Sequence, residues 1–246
     1  MTASAPTGRG DDPVAWLGNS PLLDTDDPRV RIQALRLTQS RGSERARAMA
    51  VYGFVKQLPF AKEFRMRPLT SREVFDRGRG DSADKATLFV AMLRVAGLPA
   101  RMRWLTLHQD LMRGLHTGPV QPIRPAVEVW CEGRWLRTDS FIFDGEYSAA
   151  ARDRLKANGW THGYGLHVEG KLLWDGCSSG YTFSRVVDAP ALLEADHGVF
   201  CDPLEFLSSR SYRSHHSRMS HAVSWNMLSP IVERAIRDLR ADFRFA

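Results

Sequence analysis

The chain has little of what marks several large protein classes. No apolar run approaches the roughly 18 residues needed to cross a bilayer, and the opening MTASAPTGRGDDP has no apolar signal core. There are three cysteines, too few and odd in number for a secreted disulfide framework, so a reducing cytoplasm is the expectation. No CxxC or HxxxH spacing offers a zinc site, and no P-loop or dinucleotide fingerprint is present, so neither a metal nor an organic cofactor is expected. Glycine (19) and proline (13) are too scarce for a fibrous or low-complexity chain. Internal repeats and an interdomain linker are missing as well.

What is present is enough for a substantial core, with 246 residues of which 43% are hydrophobic. Acidic charge is thin in one stretch: residues 28–79 hold 13 basic and 4 acidic side chains, whereas residues 1–27 carry five Asp against one Arg. A nucleic-acid face is one reading of that excess. No RNA or DNA motif accompanies it, and a solvated helix face explains it more simply. The Asp-, Pro- and Ser-rich residues 1–27 read as a mobile tail that becomes ordered near Trp16, followed by a single domain over 28–246.

Hydrophobic periodicity predicts helices between Pro28 and Phe60, interrupted at Gly42. Thr70 and Glu73 have capping-box spacing for a short helix that ends at Gly78. Ala86, Phe89, Met92, Leu93 and Ala96 lie at helical spacing after Gly80-Asp81-Ser82, with Gly97 as the stop. The period then changes to that of strands. Ala100 to Leu107 is one strand, and Ala126 to Trp135 forms a hairpin turning at Glu132-Gly133, with a return strand through Asp139 to Phe143. Tyr147 to Ala157 reads as a helix and Gly165 to Trp174 as a second hairpin. Pro190 to Ala195 and Pro203 to Leu207 read as short helices, and a last helix starts at Ser229-Pro230. Helices followed by antiparallel strands give an α+β class.

The turn before the central helix is where chemistry is expected. A helix N-terminus is electropositive because its first amides are unpaired. A thiol there becomes a thiolate, a histidine on a nearby strand can serve as base, and a carboxylate on the next strand can orient it. Here Gly80-Asp81-Ser82-Ala83-Asp84-Lys85-Ala86, then Leu93-Arg94-Val95-Ala96-Gly97-Leu98-Pro99-Ala100-Arg101, resembles the nucleophile segment of the transglutaminase-like superfamily. Val127-Glu128-Val129-Trp130, Gly133-Arg134-Trp135 and Thr138-Asp139 are similar to that family's histidine and aspartate strands. The likeness covers roughly residues 43–145. It implies a papain-like fold, N-terminal helices packed on an antiparallel sheet, and a Cys-His-Asp triad.

On that resemblance the family's cysteine falls on Ser82, its histidine on Arg124 and its aspartate on Asp139. A serine needs an adjacent base to act as a nucleophile. A guanidinium stays protonated and cannot be that base. Arg124 is instead expected to pair with Asp139 and donate to Ser82, a static arrangement. His108 and His116 are the candidates for a substitute base, with His162 and His167 flanking the second hairpin. His215, His216 and His221 read as a loose basic cluster in a solvated loop.

Two functions from different classes follow. In the first, the domain has lost ordinary thiol acyl transfer and keeps its cleft to bind a peptide or small acyl or carboxylate ligand, held by the Ser82 amides and Arg124. In the second, it transfers or hydrolyses an amide or ester through Ser82 with a non-standard base. Membrane association is not expected, and nucleic acid ranks last among the partners.

Overall fold

The most apolar helix of the chain organises the rest of it. The computed structural model describes residues 10–118, 120–188, 190–215 and 226–244. Helix α4 (Ser82–Val95) is buried without interruption from Asp84 to Arg94. A helix apolar on all sides has to be enclosed on all sides. Helices α1 (Pro28–Thr38), α2 (Glu44–Gln57) and α3 (Ser71–Arg77) pack around it, and the sheet takes the remaining face.

Local signals set the ends of these helices. Asp81 caps α4 by accepting from the Ala83 and Asp84 amides, and Asp84 reaches back to the Asp81 amide to complete a capping box. At the other end Gly97, at φ +76°, closes a Schellman turn in which Leu98 N–H donates to the Leu93 carbonyl at 2.9 Å. Thr70 and Glu73 make a second capping box on α3.

The sheet has four antiparallel strands in the order β3-β2-β1-β6. Strand β1 (Ala100–Leu107) is as read from sequence, β2 (Ile123–Cys131) starts three residues earlier, the turn falls on Glu132 (φ +52°) and Gly133 (φ +80°), and β3 (Arg134–Thr138) stops before Asp139, short of the expected Phe143. The fourth strand differs from it. Residues 193–195, read as helical, open β6 (Leu193–Phe200), which pairs with β1. The exposed edge of β1 offers unpaired amides and carbonyls, and satisfying them outweighs the local helical pattern.

Beyond β3 come α5 (Gly145–Ala157), the short hairpin β4 (His162–Gly163) with β5 (Leu166–His167), then α6 (Pro203–Ser208), α7 (Arg210–His215) and α8 (Ser229–Arg244). The hairpin expected over Gly165 to Trp174 does not form; the paired residues are His162-Gly163 and Leu166-His167, which turn at Tyr164-Gly165. Within residues 10–27, Trp16, Leu22 and Leu23 are buried, and Arg94 donates to the Gly18 carbonyl. Val127, Val129 and Met102 belong to the main core with α4, whereas Leu105, Leu107, Ala126, Tyr181 and Phe183 form a separate cluster on the other sheet face.

Candidate functional site

Ser82 is the first residue of α4, half-buried on the wall of a cavity of about 210 Å³. No hydrogen bond among the described residues takes up its hydroxyl or its backbone N–H. The wall also includes Lys62, Arg65, Asp81, Asp84, Trp104 and Phe206.

The charges beside Ser82 are already matched. Lys62 Nζ lies 2.8 Å from Asp81 Oδ2, and Arg65 pairs with Asp84. Burial and the neighbouring Asp81 charge push the Asp84 carboxyl up. Asp81 goes down: burial opposes its charge, but Lys62 and Arg65 outweigh that. The segment carrying Lys62 and Arg65 is tied to the C-terminal part of the chain. The Arg65 backbone exchanges two hydrogen bonds with the Asn226 side chain, and Lys62 N–H donates to Glu233.

Arg124 stands elsewhere. Register pairs it with Leu105, and its neighbours Ile123 and Pro125 leave the strand on the opposite face. Ile123 and Trp104, the partner of Pro125, meet Ser82 across the cavity; Arg124 and Asp139 are not part of that wall. The guanidinium lies between the two clusters, 5.0 Å from the ring centroid of Phe183 and 5.7 Å from that of Phe143 in the main core. Its Nη2 donates to Asp139 Oδ2 at 2.6 Å and to Thr182 Oγ1 at 3.0 Å, and its Nη1 donates to the Gly165 carbonyl at 2.6 Å. Asp139 accepts in addition from the Thr182 amide at 2.6 Å. Burial pushes the guanidinium pKa down and the Asp139 charge pushes back; from so high a starting value the group remains a cation.

The expected hydrogen bond from Arg124 to Ser82 is therefore absent. Its Nη1 and Nη2 donors are taken by Gly165, Asp139 and Thr182, its Nε–H is buried without a partner, and Arg124 is not part of the wall of the Ser82 cavity. His116 and His108 are not brought to Ser82 either. His116 lines a different depression with Arg113 and His162, accepting from the Gly118 amide, and His108 sits beside Asp110 and Glu194. His167 accepts from the Glu169 amide at the hairpin. His216 and His221 lie outside the described residues.

Several residues escaped the sequence reading. Lys56 and Lys85 are buried and donate to the Ser140 and Ile142 carbonyls, which pins the turn that follows Asp139. A lysine inside an apolar helical stripe was the available sign of Lys85. Thr182 and Gly165 come from a region without a usable motif. The basic excess of residues 28–79 is largely spent internally: Glu63 alone gathers Arg65, Arg77 and Arg79, Arg67 pairs with Glu73, and Arg72 pairs with Asp27 and Asp76. Among the described residues no His, Cys, Asp and Glu cluster could hold a metal, and no helix is long and apolar enough to cross a membrane.

Residues 33–140 match the sequence model of the Transglutaminase-like superfamily. Over those residues the chain is similar to that superfamily, and its fold is α+β, with helices packed on an antiparallel sheet. No curated protein matches it. Among solved structures it is similar to one described as "a Putative Cysteine Protease from Cytophaga hutchinsonii", with 16% identity and a TM-score of 0.43 over 52% of this chain and 41% of that one. It is also similar to "a putative protease from Parabacteroides distasonis", with 17% identity and a TM-score of 0.35 over 51% of this chain and 26% of that one. The chain spans less than half the length of either, and at these scores neither likeness bears on its activity.

Proposed function

We propose that this transglutaminase-like domain performs no acyl transfer through the triad positions Ser82, Arg124 and Asp139, and that the cavity beside Ser82 serves for binding. The observation that carries this reading is the commitment of Arg124. A serine hydroxyl needs a base within about 2.6–3.2 Å. The residue at the histidine position is a cation held by Asp139, Thr182 and Gly165 on the other sheet face. No histidine is among the described residues of the cavity wall, and the carboxylates there are engaged by Lys62 and Arg65.

Residues 28–246 form one working unit on this reading, because Gly165 and Thr182 complete the Arg124 site and Arg240 of α8 binds Asp144, the cap of α5. Cys131, Cys177 and Cys201 are all free thiols, which supports a cytoplasmic setting. The test is a serine-directed fluorophosphonate probe applied to the protein and to Ser82→Ala, both weighed by intact-mass spectrometry. No adduct dependent on Ser82 is expected. An adduct that disappears in Ser82→Ala would show an activated hydroxyl and overturn the reading.

A further inference from the structure

The basic excess of residues 28–79 leaves a remainder on one side of the molecule. Most of its arginines are matched: Arg29 pairs with Asp76, Arg45 donates to the Asp175 carbonyl and Arg47 to that of Ala96. Arg31, Arg36 and Arg41 are exposed, and their side chains have no hydrogen-bond or ion-pair partner among the described residues. All three lie in α1 or in the turn that follows it. From Pro28 to Gln57 the one carboxylate in the sequence is Glu44, and it accepts from the Glu132 amide. Three cations thus stand together without a counter-charge in contact.

Apolar surface lies beside them. Ile32 and Leu35 are 51% and 41% exposed on α1, whose buried side carries Val30, Ala34 and Thr38. Arg31 lies one helical turn from Leu35, and Arg36 one turn from Ile32, so the cations frame the two aliphatic side chains. Next to this face an open groove of about 360 Å³ runs between the helices. Arg36, Leu37 and Arg41 line it from α1 and its following turn, and Met49, Gly53 and Phe54 from α2. Among the described residues no carboxylate lines it. Gly53 sits in the interior of α2, where glycine weakens a helix relative to alanine. A Cβ there would meet nothing within 4 Å, so packing within the chain does not require the glycine, and its missing side chain keeps the groove open.

These features select the occupant. A second copy presenting the same patch would set arginine against arginine. Nucleic acid would gain from the cations but not from Ile32, Leu35 or Met49, and the Phe54 ring is already stacked on Phe75. An extended peptide needs a strand edge for its backbone groups, and both walls of the groove are helical; a helix satisfies its own backbone and brings only side chains. We propose that the groove between α1 and α2 docks an acidic amphipathic helix of a partner protein. Its apolar side chains enter over Gly53 between Leu37 and Phe54, and its Asp and Glu side chains pair with Arg31, Arg36 and Arg41. The surface shares no wall residue with the Ser82 cavity and does not depend on what binds there.

The test selects phage-displayed random peptides of about 16 residues, long enough for an isolated helix, on the immobilised full chain. The recovered peptides are sequenced, synthesised and titrated by fluorescence anisotropy against the chain, Gly53→Leu, and the double variant Arg36→Glu, Arg41→Glu. They should be net acidic, carry apolar residues at i, i+3 or i+4 and i+7, and bind more weakly as salt is raised. Both variants should keep the wild-type circular dichroism and bind them at least about tenfold more weakly, Gly53→Leu by filling the groove and the double variant by reversing its charge. Recovery of no peptide, of peptides without acidic excess or helical spacing, or of peptides that bind both variants as tightly as the wild type would each overturn the proposal. A mixed-sequence DNA duplex is titrated alongside. Duplex binding as tight as that of the peptides and lost in the arginine variant would overturn it in favour of a nucleic-acid face.

Discussion

The Nη2 atom of Arg124 lies 2.6 Å from Oδ2 of Asp139, with the two side chains 6% and 1% exposed. The pair joins β2 to the end of β3, and Thr182 and Gly165 close it from the second half of the chain. Buried pairs of this kind lose much on desolvation, and their stability depends on every remaining donor and acceptor being met. Here the pair is a clasp between β2, the end of β3 and the segment that carries Gly165 and Thr182.

Removing one member of the pair should expose that dependence. Asp139→Ala leaves a buried guanidinium without its counter-ion, and we expect a loss of about 3–5 kcal/mol in urea unfolding. Arg124→Met combined with Asp139→Leu should lose markedly less than the sum of the two single changes. Additive losses would show that the pair is not a unit.

Restoring the family's residue types should not restore chemistry. Ser82→Cys places a thiol at a helix N-terminus, so alkylation by iodoacetamide should be readily detected. The double variant Ser82→Cys, Arg124→His should still show background turnover of an activated ester or of glutamine-peptide amine exchange, because the strand register turns position 124 away from the cavity. Turnover well above the single variant would show that the strand can rotate its register.

Gly165 has φ +80°, and a Cβ there would come within 2.6 Å of the Phe143 ring. Its carbonyl is one of the acceptors of Arg124. Gly165→Ala should therefore cost more than about 1 kcal/mol and lower the melting temperature, by backbone strain and by displacing that acceptor. A wild-type melting temperature would mean that the hairpin adjusts freely.

Lys56 carries a pH signature. Burial lowers its pKa to about 8, although Asp144 and Asp139 work the other way. Between that value and the ordinary lysine range the unfolded chain holds a proton that the folded chain has released, so stability should rise with pH from about 8 to 10.5. The slope contributed by this one group is at most about 1.4 kcal/mol per pH unit. Lys56→Met should remove that component of the profile in urea titrations at several pH values. The same slope in both proteins would assign it to another group.

Glu73 shows the opposite sign. The Arg67 hydrogen bond, helped by the Thr70 amide, lowers its carboxyl to about 2. Its stabilisation is present above the unfolded carboxylate range and fades as pH falls toward 2. The side chain is partly exposed, so Glu73→Gln, which keeps the capping box, should cost under about 1 kcal/mol at pH 7 and nothing near pH 2.

Local sequence was sufficient for what is decided locally. Asp81 and Asp84, Thr70 and Glu73, Gly97, and the Glu132-Gly133 turn all act within a few residues of themselves, and the helices and the β1 to β3 strands appear where those signals lie. The position of Ser82 at a helix N-terminus was legible for the same reason. The direction of Arg124 was not. One residue of register sends a side chain to the other face of a sheet, and that register is set by the packing of Val127 and Val129 against α4 together with Phe183 and Thr182 from a distant segment. The same holds for β6, whose local helical pattern yields to the unpaired edge of β1, and for the cavity, whose Trp104, Lys62 and Phe206 meet only when strand, loop and a later helix are brought together. Sequence alone determined helices α1 to α4 and strands β1 to β3; the tertiary structure decided β6, which face each side chain occupies and with what it pairs, because those choices depend on partners far along the chain.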